Sequence, residues 1–313
     1  MKYMMRKINI LLITLFLVSV ITFVAFHIVP GDPAMMILGT EASEEQLEAL
    51  REELGTNKPV LEQYIDWIIG LLHGNLGNSI KYNKPVAELL YERIPVTLLL
   101  GFMVMILTLV IGIPLGVYGA YKKNSWLNPI LNFFTVIGIS VPGFFLSILV
   151  IWIFGLILKW FTPGGYISFR ENLLGFLHFM IFPAISIAVP EVAILVKYIR
   201  ACVITEQEAE YVRTARSKGN KESAILFHHI LKNALVSVIP LIGMMMGSIL
   251  GGSLIVEQVY GIPGVGRLLI SSVTSRDFPL IQSLVLYLTA IIVVINFLAD
   301  LLIQLIDPRI RLK

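Results

Sequence analysis

The sequence predicts an all-α integral membrane protein with six transmembrane helices, on three observations. Of its 313 residues 57% are hydrophobic and only 14% charged, against roughly 25% charged in soluble domains, and the mean hydropathy is +0.83. The few charges are clustered, leaving uncharged runs at 8–31, 94–121, 124–158, 172–190, 233–256 and 278–299. Each run reaches or exceeds the roughly 18 residues that mark a membrane-spanning helix. Lys and Arg, finally, fall mainly on every second connection between those runs.

Residues 1–30 form the first span. The basic start MKYMMRK precedes INILLITLFLVSVITFVAF, an apolar stretch longer than the roughly 7–15 residues of a secretory signal core. No small-x-small cleavage site follows it at 27–32, so the helix is expected to be retained. Residues 31–93 make a segment of short amphipathic helices. Ser43 with Gln46 forms a capping-box pattern ahead of Leu47, Leu50 and Leu54. VLEQYIDWIIGLLHG reads as a second amphipathic helix, with Trp67 suited to a membrane interface. Such helices would cover span ends or touch a substrate; they are too small for a substrate-binding domain.

Residues 94–306 hold the remaining five spans. The run 124–158 is expected to be the start of a loop and then one helix, because Asn128-Pro129 and Pro142 interrupt it. Two helices there would have no polar turn between them. Pro114, Pro142, Pro183 and Pro190 can bend spans 2 to 4, where neighbouring groups resatisfy the backbone. Gly243, Gly247 and Gly251 repeat every four residues in span 5, a spacing that permits close helix approach. Residues 307–313 are a tail.

Six spans divide the connections between two sides. The side holding 1–7, 122–129, 197–232 and 307–313 carries 15 of the 24 Lys and Arg. The positive-inside rule makes it cytoplasmic. Both termini are therefore expected inside and 31–93 outside. The cytoplasmic loop 200–232 reads RACVITEQEAEYVRTARSKGNKESAILFHHILK. Glu206 to Ser217 can be helical, with Tyr211, Val212 and Ala215 as a small apolar face, and Gly219-Asn220 closing it. A second helix is expected from near Lys221 into span 5. Such a unit either rests on lipid through its basic residues or docks a cytoplasmic partner in a groove.

YVRTARSKG at 211–219 resembles the coupling motif, often called the EAA loop, of bacterial ABC importer permeases of the dipeptide, oligopeptide and nickel family. Further strings similar to that family are HIVPGDPA (27–34), GNLGNSI (74–80), RIPVT (93–97), GIPLGVYGA (112–120), GISVPGF (138–144), GGSLIVEQVYGIPGVGRL (251–268), DFPLIQ (277–282) and DPRIR (307–311). They cover nearly the whole chain in family order. Of the general loop pattern only Ala215 and Gly219 match. Arg213 stands where the wider family has Glu, and Ser217 where many relatives have Ala.

The resemblance implies a type I importer permease fold and a coupling role for Tyr211, Arg213, Ala215, Arg216 and Gly219, with Ala215 on the docked face. It also implies a homologous second permease, two ATPase subunits on the cytoplasmic side and an extracytoplasmic substrate-binding protein. Membrane lipid surrounds the assembly; no nucleic acid is expected, and the location implied is the bacterial inner membrane. The chain has no G-x-x-x-x-G-K-[ST], so ATP hydrolysis, with ATP and Mg, belongs to the partner subunits. No catalytic residue, cofactor or metal site is expected in this chain. Cys202 is the only cysteine, and His27, His73, His178, His228 and His229 show no ligand spacing.

Polar groups inside spans are costly unless paired. Glu191 in span 4 and Glu257 at the end of span 5 read either as pathway groups or as pairing groups. Asn296 and Asp300, four apart on span 6, share a face and read first as interhelical partners, with a place on the pathway as the alternative. An ion-coupled secondary transporter would use such acids as relays, but would leave the helical loop unexplained and would call for an inverted repeat. A peptide cargo is expected; nickel or a metal chelate is the alternative within the family.

Overall fold

A computed structural model describes residues 2–28, 33–39, 42–122 and 125–306. It contains two compact units, Met1–Arg93 with Leu268–Ile291, and Ile94–Arg267 with Ile292–Lys313. Among the described residues, five helices are long and apolar enough to cross a membrane. A bent pair, Leu127–Ser140 with Gly143–Ile157, makes six if it crosses as one span. The protein is thus an all-α integral membrane protein. The tail at 307–313 lies outside the described residues.

In the first unit α1 (Lys2–Ile28) is one apolar helix. It leaves Phe16, Leu17 and Ile21 exposed, as a span bathed in lipid does. Two short helices follow, α2 (Pro33–Leu38) and α3 (Glu44–Leu54). The predicted capping box is present: the Ser43 hydroxyl accepts from the Gln46 amide while the Gln46 side chain accepts from the Ser43 amide. The helix ends at Gly55, whose φ of 70° favours glycine. Next, α4 (Val60–Leu72) lies against α1 through a Ser19–Tyr64 hydroxyl bond of 2.8 Å and ring contacts of Phe23 with Tyr64 and Trp67.

A two-stranded hairpin, β1 (Asn78–Ser79) and β2 (Lys84–Pro85), pairs Asn78 with Pro85 and Ser79 with Lys84. Its anchor is Asp277, fully buried. The carboxylate accepts from Ser79 Oγ at 2.5 Å and from the amides of Ile80 and Lys81 at 3.2 and 3.1 Å. It also accepts from the Leu280 amide at 3.4 Å, so one acid caps the next helix and closes the hairpin onto it.

The second unit is built around α8 (Leu173–Gln207), which packs against α6 (Leu127–Ser140), α7 (Gly143–Val150) and α11 (Leu231–Tyr260). In lipid, helices gain little from apolar burial alone, so close packing through small residues holds them. A Cβ on Gly116 of α5 (Val86–Tyr121) would lie 2.8 Å from Ile199, and one on Gly138 would lie 2.9 Å from Ala193. These two approaches bring α5 and α6 onto α8. The remaining elements are α9 (Glu210–Ser217), α10 (Glu222–Ile225), which runs through a π-helical turn into α11, α12 (Val265–Thr274) and α13 (Phe278–Ile306).

Three expectations need correction. The run 124–158 is not a loop followed by one helix: α6 begins at Leu127, and its axis turns by 100° into α7 and a π-helical continuation, Ile151–Ile157. Pro142 causes the turn, since it lacks an N–H and pushes Val141 into an extended conformation (φ −93°, ψ 119°). No polar turn is needed. Pro129 sits in the first turn of α6, where the missing donor is harmless, while Pro114, Pro183 and Pro190 lie within unbroken helices. Second, the helix of span 2 starts at Val86, not 94. Third, the small-residue row in span 5 is used unevenly: a Cβ on Gly243 would meet Ala299 at 2.8 Å, whereas Gly251 faces open space.

Candidate functional site

The loop singled out by sequence is a capped short helix between two spans. The helix of span 4 continues to Gln207, so α9 starts at Glu210 and not at Glu206 as expected; Glu208 and Ala209 form the break. At the far end the Asn220 amide bonds back to the Ala215 carbonyl and the Gly219 amide to the Arg216 carbonyl. This is a Schellman closure, and Gly219 takes the left-handed conformation it requires, φ +77°. Glu222 then starts α10, one turn before the π-helical segment and α11.

The side chains of α9 divide by face. Val212 and Ala215, three apart, are buried in the same apolar cluster as Val203 of α8, Ile225 of α10, Leu226 of the π-helical turn and Ala234 of α11. The expectation that Ala215 lies on a docked outer face is at odds with its burial: at 7% exposure it packs inward in this chain. Arg213, Thr214, Arg216, Ser217, Lys218 and Gly219 face outward. Arg216 is held by Glu222, with nitrogen–oxygen distances of 2.8 and 3.4 Å. Tyr211, half-exposed, donates its hydroxyl to Glu206 across the break. Burial first, and that carboxylate second, push the phenol's pKa up. Val212 and Ala215 thus join α9 to the core shared with α8 and α11.

Glu257 sits in a hydrogen-bond network at the start of α12. It is fully buried and accepts from Thr97 Oγ1 at 2.6 Å, from the Gly266 amide at 2.8 Å and from the Arg267 amide at 3.3 Å. Thr97 Oγ1 in turn accepts from the Val265 amide at 2.8 Å. The first three donors of α12 are thereby satisfied, and a carboxylate, which only accepts, suits a helix N-terminus. The glycines of GIPGVGR follow from the same geometry: a Cβ on Gly264 would overlap the Glu257 carboxylate, and one on Gly266 would overlap the Leu254 backbone.

Glu191 is 5% exposed. Ser248 of α11 donates to its Oε1 at 2.6 Å, while Oε2 has no hydrogen-bond partner. This bond ties α8 to α11. On α13, Asn296 lies beside Gly243 of α11, and Asp300 follows one turn later. Among the described residues no three His, Cys, Asp or Glu gather as a metal site would need. Sequence reasoning missed Thr97, Ser248, Ser79 and Asp277. Single hydroxyls carry no signal by themselves, although Thr97, Ser79 and Asp277 do sit inside the strings RIPVT, GNLGNSI and DFPLIQ.

The bundle has the fold of an ABC importer permease. A chain of the MetNI methionine ABC transporter, solved in inward-facing conformations, matches with a TM-score of 0.57 over 70% of this chain and 96% of that one. At 17% identity the likeness is one of fold alone. The chain belongs to the family of binding-protein-dependent transport system inner membrane components: that family's model matches residues 112–312, and the model of its N-terminal part matches residues 1–101. Among its relatives, the oligopeptide transport system permease protein AppB of Bacillus subtilis (strain 168) is 36% identical over 94% of both chains. The glutathione transport system permease protein GsiC of Escherichia coli O6:H1 is 34% identical over 100% of both. The dipeptide transport system permease protein DppB of Alkalihalophilus pseudofirmus is 32% identical over 99% of both. Permeases of this family are not themselves catalytic; they work with an ATPase and a substrate-binding protein.

Proposed function

We propose that this chain is one of two permease subunits of an ATP-driven importer that takes up short peptides. An extracytoplasmic binding protein presents the cargo, and two ATPase subunits bind from the cytoplasm. The chain binds no cofactor; ATP and Mg stay with the ATPases. It lies in the inner membrane with both termini cytoplasmic, in accord with the Lys and Arg distribution. The observation that carries this reading is α9: a short helix closed at its C-terminal end, wedged into the core on one face and presenting Arg213, Thr214, Ser217 and Lys218 on the other. The cargo class rests on the relatives, whose names refer to dipeptides, oligopeptides and glutathione, itself a tripeptide.

The test is uptake of labelled di-, tri- and pentapeptides into proteoliposomes holding this chain, its second permease, the ATPases and the binding protein. Uptake should require every component and ATP, and the chain alone should hydrolyse none. Uptake driven by an ion gradient without ATPases would reject the class, and uptake of a nickel chelate in place of peptides would reject the cargo. Orientation is checked separately, in a Cys202→Ser background, with Glu48→Cys and Lys221→Cys. An impermeant thiol reagent should label them from opposite sides; labelling of both from outside would reject the topology.

A further inference from the structure

The amphipathic helix α4 leaves an apolar face that none of the described residues of its own unit covers. With about 3.6 residues per turn, Leu61, Ile65, Ile68, Ile69 and Leu72 fall within roughly 100° of arc, and Leu61 and Leu72 are 68% and 82% exposed. Glu62, Gln63 and Asp66 occupy a second arc, where Asp66 pairs with Lys58 at 2.5 Å and Gln63 donates to the carbonyls of Thr56 and Lys58. Tyr64 and Trp67 form a third face, turned onto α1.

Those contacts with α1 set the depth of the helix. The span Met5–Ile28 has 24 residues, about 36 Å at 1.5 Å per residue, for a hydrocarbon core of about 30 Å. Ser19 lies nine residues before Ile28, which puts it about 10 Å inside the hydrocarbon boundary. The Tyr64 hydroxyl meets Ser19 Oγ there at 2.8 Å, while Ser19 also bonds the Phe16 carbonyl at 2.7 Å. The mutual bond explains both polar groups: at that depth each hydroxyl needs a protein partner. One turn nearer the boundary, Phe23 stacks on Trp67 with centroids 5.9 Å apart.

We infer that α4 is a lipid-binding helix, its Leu61–Ile65–Ile68–Ile69–Leu72 face seated among phospholipid acyl chains of the leaflet at the C-terminal end of α1. Phospholipid is the occupant because α1, which fixes the depth of α4, is itself bathed in acyl chains at that level. The arc contains no polar or charged side chain to orient a protein partner. The immersion of about 5–10 Å typical of interfacial helices matches the depth set by Ser19. The carboxylates of Glu62 and Asp66 stay on the arc turned to water. The outer segment is thereby fastened to the bilayer as well as to its own chain.

Site-directed spin labelling of the full chain in the assembled complex, reconstituted in phospholipid vesicles, tests this. Labels are placed in a Cys202→Ser background at Leu61→Cys, Ile65→Cys and Leu72→Cys, with Glu62→Cys as the aqueous control. The first three should collide freely with oxygen and little with a water-soluble nickel chelate, and Glu62→Cys should show the reverse. Chelate collisions at Leu61→Cys and Ile65→Cys equal to those of the control would overturn the inference, by placing the face in water. Low collision rates with both reagents would also overturn it, by showing a protein cover. A second measurement needs no label in α4. With Trp126, Trp152 and Trp160 replaced by Phe, Trp67 fluorescence should be quenched by lipids brominated along the acyl chain and spared by aqueous iodide. The opposite pattern refutes acyl-chain contact.

Discussion

Replacing Glu257 tests whether the buried acid of span 5 is an anchor or a transport group. In Glu257→Ala, the Gly266 and Arg267 amides lose their acceptor and the Thr97 hydroxyl loses its own. An unsatisfied buried N–H costs about 1–3 kcal/mol, and the favourable charge at the start of α12 adds up to about 2 kcal/mol. The 3.3 Å bond to Arg267 is the weaker of the two amide bonds, so a total of about 3–5 kcal/mol is expected, in the range for breaking a buried charged network. Glu257→Gln keeps one acceptor oxygen for the amides and should cost about 1–2 kcal/mol. The assay is amide hydrogen exchange of residues 265–267 in the detergent-solubilised complex, with melting followed in parallel. A loss of about 3 kcal/mol or more raises local opening by roughly 100-fold or more at 1.4 kcal/mol per tenfold. Exchange should therefore accelerate strongly in Glu257→Ala, modestly in Glu257→Gln, and also in Thr97→Val, which orphans the Val265 amide. If Glu257→Ala kept both its protection and its melting temperature while uptake fell, the carboxylate would be a transport group and the capping argument would fail.

A Cβ on Gly219 would meet no neighbour within 4 Å, but the residue holds a φ of +77°, so the cost of substitution there is conformational, about 1–2 kcal/mol. Gly219→Asn should retain ATPase co-purification and Gly219→Val should reduce it; equal retention by both would show that the Schellman closure is dispensable. Ala215→Glu buries a charge in the core and should lower thermal stability of the solubilised chain, whereas Arg213→Ala should leave stability unchanged and weaken ATPase association. The reverse outcome would put Ala215 back on the outer face. In span 5, Gly243→Leu should destabilise by at least about 1–3 kcal/mol through overpacking, while Gly251→Ala, facing open space, should be neutral or slightly stabilising. Equal melting shifts for the two would contradict the packing of α11 on α13.

The sequence alone determined what depends on short range and on solvent. Uncharged runs gave the spans, because in lipid a helix must satisfy its own backbone within one segment. Ser43 with Gln46 gave the start of α3, and Gly219 the end of α9, because caps are formed by atoms a few residues apart. The family strings gave the permease class. What the tertiary structure alone decided are relations between residues far apart in the chain. Thr97 meets Glu257 across 160 positions and Ser79 meets Asp277 across 198, and no periodicity encodes such pairs. The same limit turned Ala215 from an expected outer contact into an inner wedge: the sequence marks an apolar face on this eight-residue helix, but not whether the chain's own core or a partner covers it. Pro142 marked a break in the sequence, but the size of the turn, 100° between α6 and α7, is seen only in the structure, where both helices contact α8. A helix's existence is local; the face it buries is chosen by what is packed beside it.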